Sequence, residues 1–571
     1  VIQRWKQIAI LRAIGVEVRN VVLMLLGEAL VLGVIGSIVG LGAGMLMATF
    51  ALKLVLGATQ TVYGFVASTP TLSFSVAGAA LTIGLGVVAS AIGAWFPTRN
   101  AAKMQTALAL HDVEVRSAAA KGPTIQLSLG LALIAAFWLI VLFVPARPDS
   151  YVQMAYAALM MLGMVLVLPM LLEVGARILR PVASSVFGVE GAIAIDNVAR
   201  APKRTVATVA AIMLGLMFAL STASFIASQK NAVNRSVDKA AAADLLVTSS
   251  SELHSRSFHF STDTADRLAA LPGVAAADKV RISSTTIDGR LLTIMAHEMR
   301  SYFQISPDLL DAGDPKTAAD ATSRQEGVLI SNNMAYRWGL HLGDKLTLRS
   351  PSGELSLPIV GMLDYYRSEN GTIFIDRSLY EQYWQDSDVD YVLLKLQPGR
   401  DENAFKANVE SALVGSPRAF IYTHDEYKAW VGQIVDQFFM MMYMQMIVAV
   451  IVAVIGLINT MMISVAHRRR ELGVFRAIGG LRRQIIKMVV IEATAIAAIG
   501  LVAGMIAGVM NSYFLVKNAA KVAAGFNLPL VLPYAGILWS IPVVVIIAIL
   551  AGSWPARSAA RMNVVEAIGY E

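Results

Sequence analysis

The chain has 571 residues, of which 56% are hydrophobic and 15% are charged, and its mean hydropathy is +0.61. Soluble globular proteins carry about 25% charged residues, so this composition excludes a purely soluble protein. The chain has no cysteine, which excludes disulfides, thiolate metal sites and a cysteine nucleophile. The net charge of +7 arises outside residues 229–437, because that segment holds 21 Lys and Arg against 28 Asp and Glu.

Eight apolar runs are long enough to cross a membrane as helices. A bilayer core about 30 Å thick requires about 20 apolar residues at a rise of about 1.5 Å per residue. Buried core helices of a soluble protein would give runs of only about 10–14 residues. We therefore predict transmembrane helices at approximately residues 22–52, 74–96, 124–146, 152–172, 205–228, 441–466, 488–516 and 533–554.

The distribution of Lys and Arg among the connections predicts the orientation of these helices. The short loops on one side of the membrane contain three Lys and Arg in total, whereas the alternate connections contain 22. The basic connections lie at residues 1–20, 97–122, 176–204, 466–487 and 555–571. By the positive-inside rule this basic set is cytoplasmic, so residues 229–437 are predicted to be extracytoplasmic.

The extracytoplasmic segment has the pattern of a soluble α/β (α+β) domain inserted into a membrane α-helical bundle. Strands are predicted at residues 345–348 and 391–396, turns at 351–353 and 370–371, and a short helix near 404–413. About 200 residues are enough to bury a separate hydrophobic core.

Two copies of one membrane module are recognisable. Residues 12–15 (Arg-Ala-Ile-Gly) recur as residues 476–479, and Glu28 corresponds to Glu492 at the same offset of 464 residues. The second copy has an additional span before its basic stretch, whereas the first copy begins within that stretch at Val1. We therefore expect this chain to be a fragment of a ten-span protein with a further span and outside domain upstream.

The basic stretches at residues 5–19 and 467–483 each predict a short amphipathic helix. Their apolar positions are spaced by three and so share one helix face, and they are Ile8, Leu11 and Ile14 in the first copy and Leu472, Phe475 and Ile478 in the second. Such a helix can lie on anionic lipid or bury its apolar face in a cytoplasmic partner. The repetition of Arg-Ala-Ile-Gly in both stretches favours a partner with two equivalent grooves.

Glycines four residues apart form smooth helix faces, which predict tight helix packing. These glycines are Gly36, Gly40 and Gly44, and their counterparts Gly500, Gly504 and Gly508. Glu28 and Glu492 are intramembrane acids near the cytoplasmic beginnings of their spans. A packing role is favoured over a proton relay, because both lie close to the interface and to the positive end of a helix.

The remaining polar segments indicate no chemistry of their own. Residues 192–204 predict an interfacial helix anchored on lipid, with a bend at Pro202. His254 and His259 are predicted to be solvated, since no metal-ligand spacing is present. The sequence contains no phosphate-binding loop or nucleophile elbow and no basic, aromatic surface for nucleic acid. We therefore predict no catalytic residue, metal or cofactor in this chain.

The spans lack mid-membrane ionisable groups, which argues against an ion-driven transporter.

Three segments resemble one known family. Residues 467–479 (His-Arg-Arg-Arg-Glu-Leu-Gly-Val-Phe-Arg-Ala-Ile-Gly), followed by Glu492 and the glycine ladder and closed by residues 554–568, resemble the FtsX-like permease domain of MacB-type ABC transporters. Residues 327–348 are similar to the MacB-like periplasmic core domain. The two spans within residues 124–172 resemble the linking helices of ten-helix, two-repeat members of this family.

The resemblance implies a permease subunit in a bacterial cytoplasmic (inner) membrane, worked by a separate dimeric ABC ATPase that binds ATP and Mg²⁺. Movement would pass from the ATPase to the outside domains by mechanotransmission and would export or extract a hydrophobic or lipid-linked substrate. Gln7 stands where the second copy has Glu471, so the resemblance leaves open whether both copies engage the ATPase equally. The coupling residues implied by position are Trp5, Ile8, Leu11, Arg12 and Gly15, and Arg469, Arg470, Glu471, Leu472, Phe475, Arg476 and Gly479.

The predicted division assigns the first permease module to residues 1–112, two linking helices to 113–190, an interfacial helix and span to 191–228, the extracytoplasmic domain to 229–437 and the second module to 438–571. Expected partners are the ATPase, membrane lipid and a periplasmic accessory protein or hydrolase, and no nucleic acid. An alternative function is an ATPase-driven signalling or scaffold protein that senses an envelope ligand or activates a cell-wall hydrolase.

Overall fold

A computed structural model describes residues 15–63, 75–102, 122–147, 150–200, 202–249, 259–366, 368–413 and 419–561. The chain divides into two compact units, one of residues 1–60 and 65–122 and the other of residues 61–64 and 123–571. The first basic stretch up to residue 14, with the predicted coupling residues Trp5, Ile8, Leu11 and Arg12, lies outside the described residues.

The described residues contain eight helices that are long and apolar enough to cross a membrane, which confirms the eight predicted spans. These segments are Val18–Phe50, Val76–Trp95, Thr124–Phe143, Tyr156–Phe187, Thr205–Ala240, Met442–His467, Arg482–Ala524 and Tyr534–Ala560. Several of these helices are longer than the predicted apolar runs, because they continue into the polar residues that follow or precede each run.

The described part of the first unit consists of helices α1 (Val18–Tyr63) and α2 (Val76–Ala102). The two helices approach closely where glycines leave room for serines. A Cβ atom built on Gly33 would lie 2.7 Å from the Cβ of Ser90, and one on Gly86 would lie 2.0 Å from the hydroxyl of Ser37. Close packing across small residues is the usual basis of helix association in lipid.

The second unit begins with α3 (Gly122–Phe143), α4 (Tyr151–Met154), α5 (Tyr156–Phe187), α6 (Val189–Arg200) and α7 (Pro202–Ala240). Helix α7 begins at Pro202, where the sequence predicts a bend, and the residue between α6 and α7 lies outside the described residues. However, the apolar face of α6 lies in the hydrophobic core of this unit and not on lipid as predicted, and its buried residues are Ala194, Ile195 and Val198. The amphipathic pattern identified the helix, but such a pattern does not specify whether lipid or protein covers the apolar face.

A nine-stranded mixed sheet forms the soluble part of this unit, with neighbour order β5-β6-β4-β7-β3-β2-β8-β1-β9. The strands are β1 (Leu245–Thr248), β2 (Val274–Ile287), β3 (Arg290–His297), β4 (Val328–Ser331), β5 (Lys345–Ser350), β6 (Gly353–Leu363), β7 (Thr372–Asp376), β8 (Tyr391–Leu396) and β9 (Phe420–Thr423). The β3–β7 and β4–β6 pairs are parallel, and the other pairs are antiparallel. Both predicted strands are confirmed.

Six helices cover this sheet, and hydrophobic clusters lie between the layers. They are α8 (Thr262–Ala269), α9 (Met299–Ile305), α10 (Pro315–Ser323), α11 (Asn332–Trp338), α12 (Arg377–Trp384) and α13 (Glu402–Ala412). Helix α13 confirms the predicted helix near residues 404–413, with a start two residues earlier at the Asp401 N-cap.

The chain leaves the sheet through α14 (His424–His467), which is followed by α15 (Arg469–Ala477) and α16 (Arg482–Tyr513). A π-helical segment (Phe514–Ala519) continues α16 into α17 (Ala520–Ala524), and α18 (Tyr534–Ala560) is the last described helix. Helix α16 is the most enclosed of the spans, with 67% of its apolar window buried. It lies between α7 and α18, where a Cβ atom built on Gly552 would lie 2.8 Å from the Cβ of Ala493.

Candidate functional site

Helices α7 and α14 form a paired stem that joins the sheet to the membrane helices. Strand β1 follows α7, strand β9 precedes α14, and these two strands pair antiparallel in the sheet. Along the stem, the hydroxyl of Thr208 donates to that of Thr460, and Phe225 and Phe439 make an edge-to-face contact at 5.9 Å. Near the sheet, the Lys428 amino group lies 2.6 Å from Asp238. The two helices are thus fastened to each other at several levels.

Helix α14 is an unbroken connection of 44 residues between the sheet and the basic stretch. At a rise of about 1.5 Å per residue it is about 66 Å long, roughly twice the thickness of a bilayer core. A capping box fixes its start, since Thr423 accepts from the backbone N–H of Glu426 and Glu426 accepts from that of Thr423. Hydrogen bonds from Lys406 and from the Thr423 backbone lower the pKa of Glu426, so the cap stays charged at neutral pH.

At the other end of α14, a buried ion pair ties the basic stretch to the next span. The Nη2 atom of Arg468 lies 2.6 Å and 2.7 Å from the two carboxylate oxygens of Glu492 on α16. Ser464 on α14 donates to the same carboxylate at 2.9 Å. Glu492 is only 4% exposed, so its charge requires this partner. The predicted packing acid therefore forms a clamp between α14, α16 and the start of α15.

Helix α15 is the amphipathic helix predicted for the second basic stretch, but its faces are assigned differently from the prediction. Leu472 is buried, and Phe475 packs partly buried in the same cluster as Ile485 of α16 and Ala556 of α18. These two apolar side chains thus pack against the chain's own helices and are not free to enter a partner groove. The spacing of three identified an apolar face but not the neighbour that covers it.

The outward face of α15 carries an exposed apolar pair among charges. Val474 is 45% exposed and Ile478 is 79% exposed. Arg469, Arg470 and Glu471 at the beginning of the helix are also exposed. An apolar pair rimmed by both signs of charge is suited to bind a protein groove, because each neighbouring charge can find a partner there.

The end of α15 is held by its own chain. A guanidinium N–H of Arg476 donates to the carbonyl of Ala560 at 3.4 Å, which ties the helix to the end of α18. Gly479 has φ +100°, and a Cβ atom on the following Gly480 would lie 2.4 Å from the Phe475 ring. Gly15, the counterpart of Gly479 in the first copy, also has a left-handed φ of +98°. A glycine with left-handed φ therefore occurs at the same position of both basic stretches.

The two glycine ladders differ in their surroundings. Gly500, Gly504 and Gly508 face α7, where Cβ atoms built on them would lie 2.7–2.8 Å from side chains of Ile212, Leu216 and Leu220. Cβ atoms built on Gly36, Gly40 and Gly44 would meet no atom of the described residues within 4 Å. Glu28 differs in the same way from its counterpart, because it is exposed whereas Glu492 is buried.

A further contact joins the sheet domain to the far end of α17. The Arg337 guanidinium on α11 donates to the carbonyl of Ala523 at 2.8 Å, and Lys521 lies over the ring of Tyr336 at 4.8 Å. A Cβ atom on Gly525 would lie 2.9 Å from the backbone oxygen of Asn333. Sequence reasoning missed this junction, although α11 lies inside the segment that resembles the periplasmic core domain.

Several ionisable residues of the sheet domain lie within bonding distance of a side chain of opposite type. His259 lies 3.0 Å from Asp390, and Asp390 also pairs with Arg281. The prediction that His259 is solvated is therefore wrong. His254 lies outside the described residues. No group of three or more His, Cys, Asp or Glu side chains suited to a metal ion occurs among the described residues.

Comparison with known proteins places these features in one family. The sequence matches the FtsX-like permease C-terminal family over residues 1–106 and 443–564, and the MacB-like periplasmic core domain over residues 205–412. The "Uncharacterized ABC transporter permease protein Rv0987" of Mycobacterium tuberculosis is 26% identical over 591 residues, covering 100% of this chain and 67% of the relative. The "Macrolide export ATP-binding/permease protein MacB" of Rhodopirellula baltica is 29% identical over 193 residues, covering 34% of this chain and 27% of the relative.

Among solved structures, the periplasmic region of MacB from Actinobacillus actinomycetemcomitans aligns with 35% of this chain and 98% of that chain, at 11% identity and a TM-score of 0.27. This chain spans only part of the length of the two curated relatives. The family matches confirm the resemblance found in the sequence. The chain is an ABC transporter permease of the MacB/FtsX type, a multi-pass membrane protein with FtsX-like permease segments and a MacB-like periplasmic core domain.

Proposed function

We propose that this chain converts ATP hydrolysis by a separate dimeric ABC ATPase at the inner membrane into movement of its periplasmic domain. The movement exports or extracts a hydrophobic or lipid-linked substrate by mechanotransmission. ATP and Mg²⁺ bind to the ATPase in this scheme, and membrane lipid and a periplasmic accessory protein are further partners. The relative from Rhodopirellula baltica is named for macrolide export, which supports a hydrophobic cargo.

The observation that carries this proposal is the continuous path from α15 to the sheet. Only Arg468 separates α15 from α14, and Arg468 is clamped to Glu492. A push on α15 therefore displaces the base of a 44-residue helix whose other end begins directly at strand β9. Because packed helices transmit force with little compression, displacement at one end reaches the other.

The exposed pair Val474 and Ile478 provides the test of ATPase coupling. The double variant Val474→Asp/Ile478→Asp places two charges on the outward face of α15 and leaves the buried Leu472 untouched. We expect the co-purified ATPase to be lost, or its stimulation by the permease to fall at least tenfold, with normal membrane insertion. The matched control is Leu291→Asp/Leu342→Asp, since both residues are exposed apolar side chains of the sheet domain. Equal stimulation in the wild type and the α15 variant would contradict the proposal.

Transport is distinguished from the signalling or hydrolase-activating alternative by following cargo. Proteoliposomes that contain the permease and its ATPase are supplied with a fluorescent acylated peptide in the membrane. ATP-dependent release of the peptide into the aqueous phase is expected. A complex that hydrolyses ATP and activates a cell-wall hydrolase without releasing any acylated peptide would favour the alternative.

A further inference from the structure

A large cavity lies where the stem meets the sheet domain. It has a volume of about 410 Å³ and is bounded by the upper parts of α7 and α14, by the sheet and by α17. Its walls are largely aromatic and aliphatic, and they include Phe225, Tyr366, Trp430, Phe439 and Phe526. This volume falls within the range of about 300–1,000 Å³ that is usual for sites of small organic ligands.

A buried histidine with an unpartnered ring nitrogen is one of the residues that line this cavity. His297 is 1% exposed, its Nδ1 atom lies 2.7 Å from Asp278, and its ring stacks on Tyr302 at 3.9 Å. These contacts fix the orientation of the ring. The Nε2 atom has no hydrogen-bond partner among the described residues. In the tautomer that carries its single proton on Nδ1, a histidine ring can use Nε2 only as an acceptor.

A second unpartnered acceptor belongs to another residue that lines the cavity. The side-chain oxygen of Gln229 on α7 is buried and has no hydrogen-bond partner among the described residues. Buried polar atoms without partners are costly, and a ligand or an ordered water in the cavity would give these two atoms partners. The cavity volume of about 410 Å³ is far larger than the roughly 30 Å³ that one water occupies. Its mostly apolar walls offer few hydrogen-bond partners to the further waters that would be needed to fill it.

The described residues of the lining favour an uncharged ligand over an ionic one. Among the described lining residues there is no lysine or arginine, and the one acid, Glu369, is exposed. Burial raises the pKa of the Tyr302 and Tyr366 hydroxyls, so both are neutral at physiological pH. A charged group would enter such a site without a counter-charge, at a large desolvation cost.

We propose that this cavity binds an uncharged amphiphile, an alkyl or aromatic molecule that carries a hydroxyl or amide N–H. The polar hydrogen is donated to Nε2 of His297 or to the oxygen of Gln229, and the apolar body packs against the aromatic walls. The identification of this ligand with the transported cargo rests on the proposed transport function. The proposal that the cavity binds such a molecule depends only on the cavity itself.

The test uses the full chain in phosphatidylcholine nanodiscs without ATPase and follows the fluorescence of Trp430, with Trp430→Phe as the baseline. The probes are 1-dodecanol, dodecyl methyl ether, which lacks the donor, and dodecyl phosphate, which is anionic. We expect saturable binding of the alcohol. The ether is expected to bind about fivefold more weakly, which corresponds to about one net hydrogen bond, and the phosphate more weakly still. Gln229→Leu is expected to reduce the advantage of the alcohol over the ether.

Val233→Phe fills the cavity from α7 and is expected to weaken binding at least tenfold. Val452→Phe is the control, because Val452 is an exposed residue of α14 outside the cavity lining. Non-saturable uptake of the alcohol, equal binding by Val233→Phe, or tighter binding of the phosphate would each overturn the inference. The measurement needs no ATPase, so a failure of coupling in Val474→Asp/Ile478→Asp and a failure of ligand binding are recognised separately.

Discussion

Arg468 and Glu492 connect two spans through one guanidinium nitrogen, which lies within 2.7 Å of both carboxylate oxygens. This pair fixes the point at which α14 ends and α15 begins. In the first copy, Arg4 and Glu28 stand at the corresponding positions. The repeat therefore preserves both members of the pair, and the permease uses the intramembrane acid to hold its amphipathic helix in place.

Glu492→Gln is predicted to destabilise the chain by about 1.5–3 kcal/mol, because the partly buried Arg468 guanidinium loses its charged partner. The measurement is chemical or thermal unfolding in detergent, combined with Arg468→Gln in a double-mutant cycle. A coupling energy of about 1 kcal/mol or more is expected between the two positions. Strict additivity of the two losses would contradict a direct interaction.

Gly504→Val is predicted to destabilise the chain by about 1–3 kcal/mol, because the added Cβ would lie 2.7 Å from the Cβ of Leu216. Gly40→Val is the matched substitution in the first ladder, and among the described residues its Cβ meets nothing within 4 Å. Comparing the melting temperatures of the two variants checks the difference. An equal loss for Gly40→Val would show that a segment outside the described residues covers the first ladder.

The sequence predicted the eight spans and strand β8, because run length and alternation depend on local residue type. It could not assign the faces of α15, since the spacing of Leu472 and Phe475 is the same whether a partner or the permease's own helices cover them. The Arg468–Glu492 pair was accessible in principle from its repetition as Arg4 and Glu28. The cavity was not, because its walls come from segments that are far apart in sequence.

Gly525→Ala is predicted to weaken the junction between the sheet domain and α17. Its φ is +71°, and a Cβ there would lie 2.9 Å from the backbone oxygen of Asn333. Gly343→Ala is the control, because Gly343 has φ +89° but no atom of the described residues lies within 4 Å of its Cβ position. Both variants bear backbone strain of about 1 kcal/mol or more, and only Gly525→Ala should also accelerate hydrogen exchange in α11. Unchanged exchange in α11 would mean that the contact is not needed to order the junction.

Asp390 is predicted to make the sheet domain sensitive to acid. Burial alone would raise the pKa of Asp390, but the hydrogen bond from His259, the charge of Arg281 and the N–H of Ile282 outweigh it and lower the pKa. Because the folded-state pKa lies below the unfolded value of about 3.9, the carboxylate stabilises the fold above that pH, and the stabilisation is lost as the pH falls through the folded-state value. Asp390→Asn should therefore be less stable at pH 7 and should lose less stability on acidification below about pH 4. Near-ultraviolet circular dichroism of the full chain follows this, with Asp388→Asn at an exposed neighbouring acid as the control. Parallel pH profiles for the wild type and Asp390→Asn would show that another group governs the acid transition.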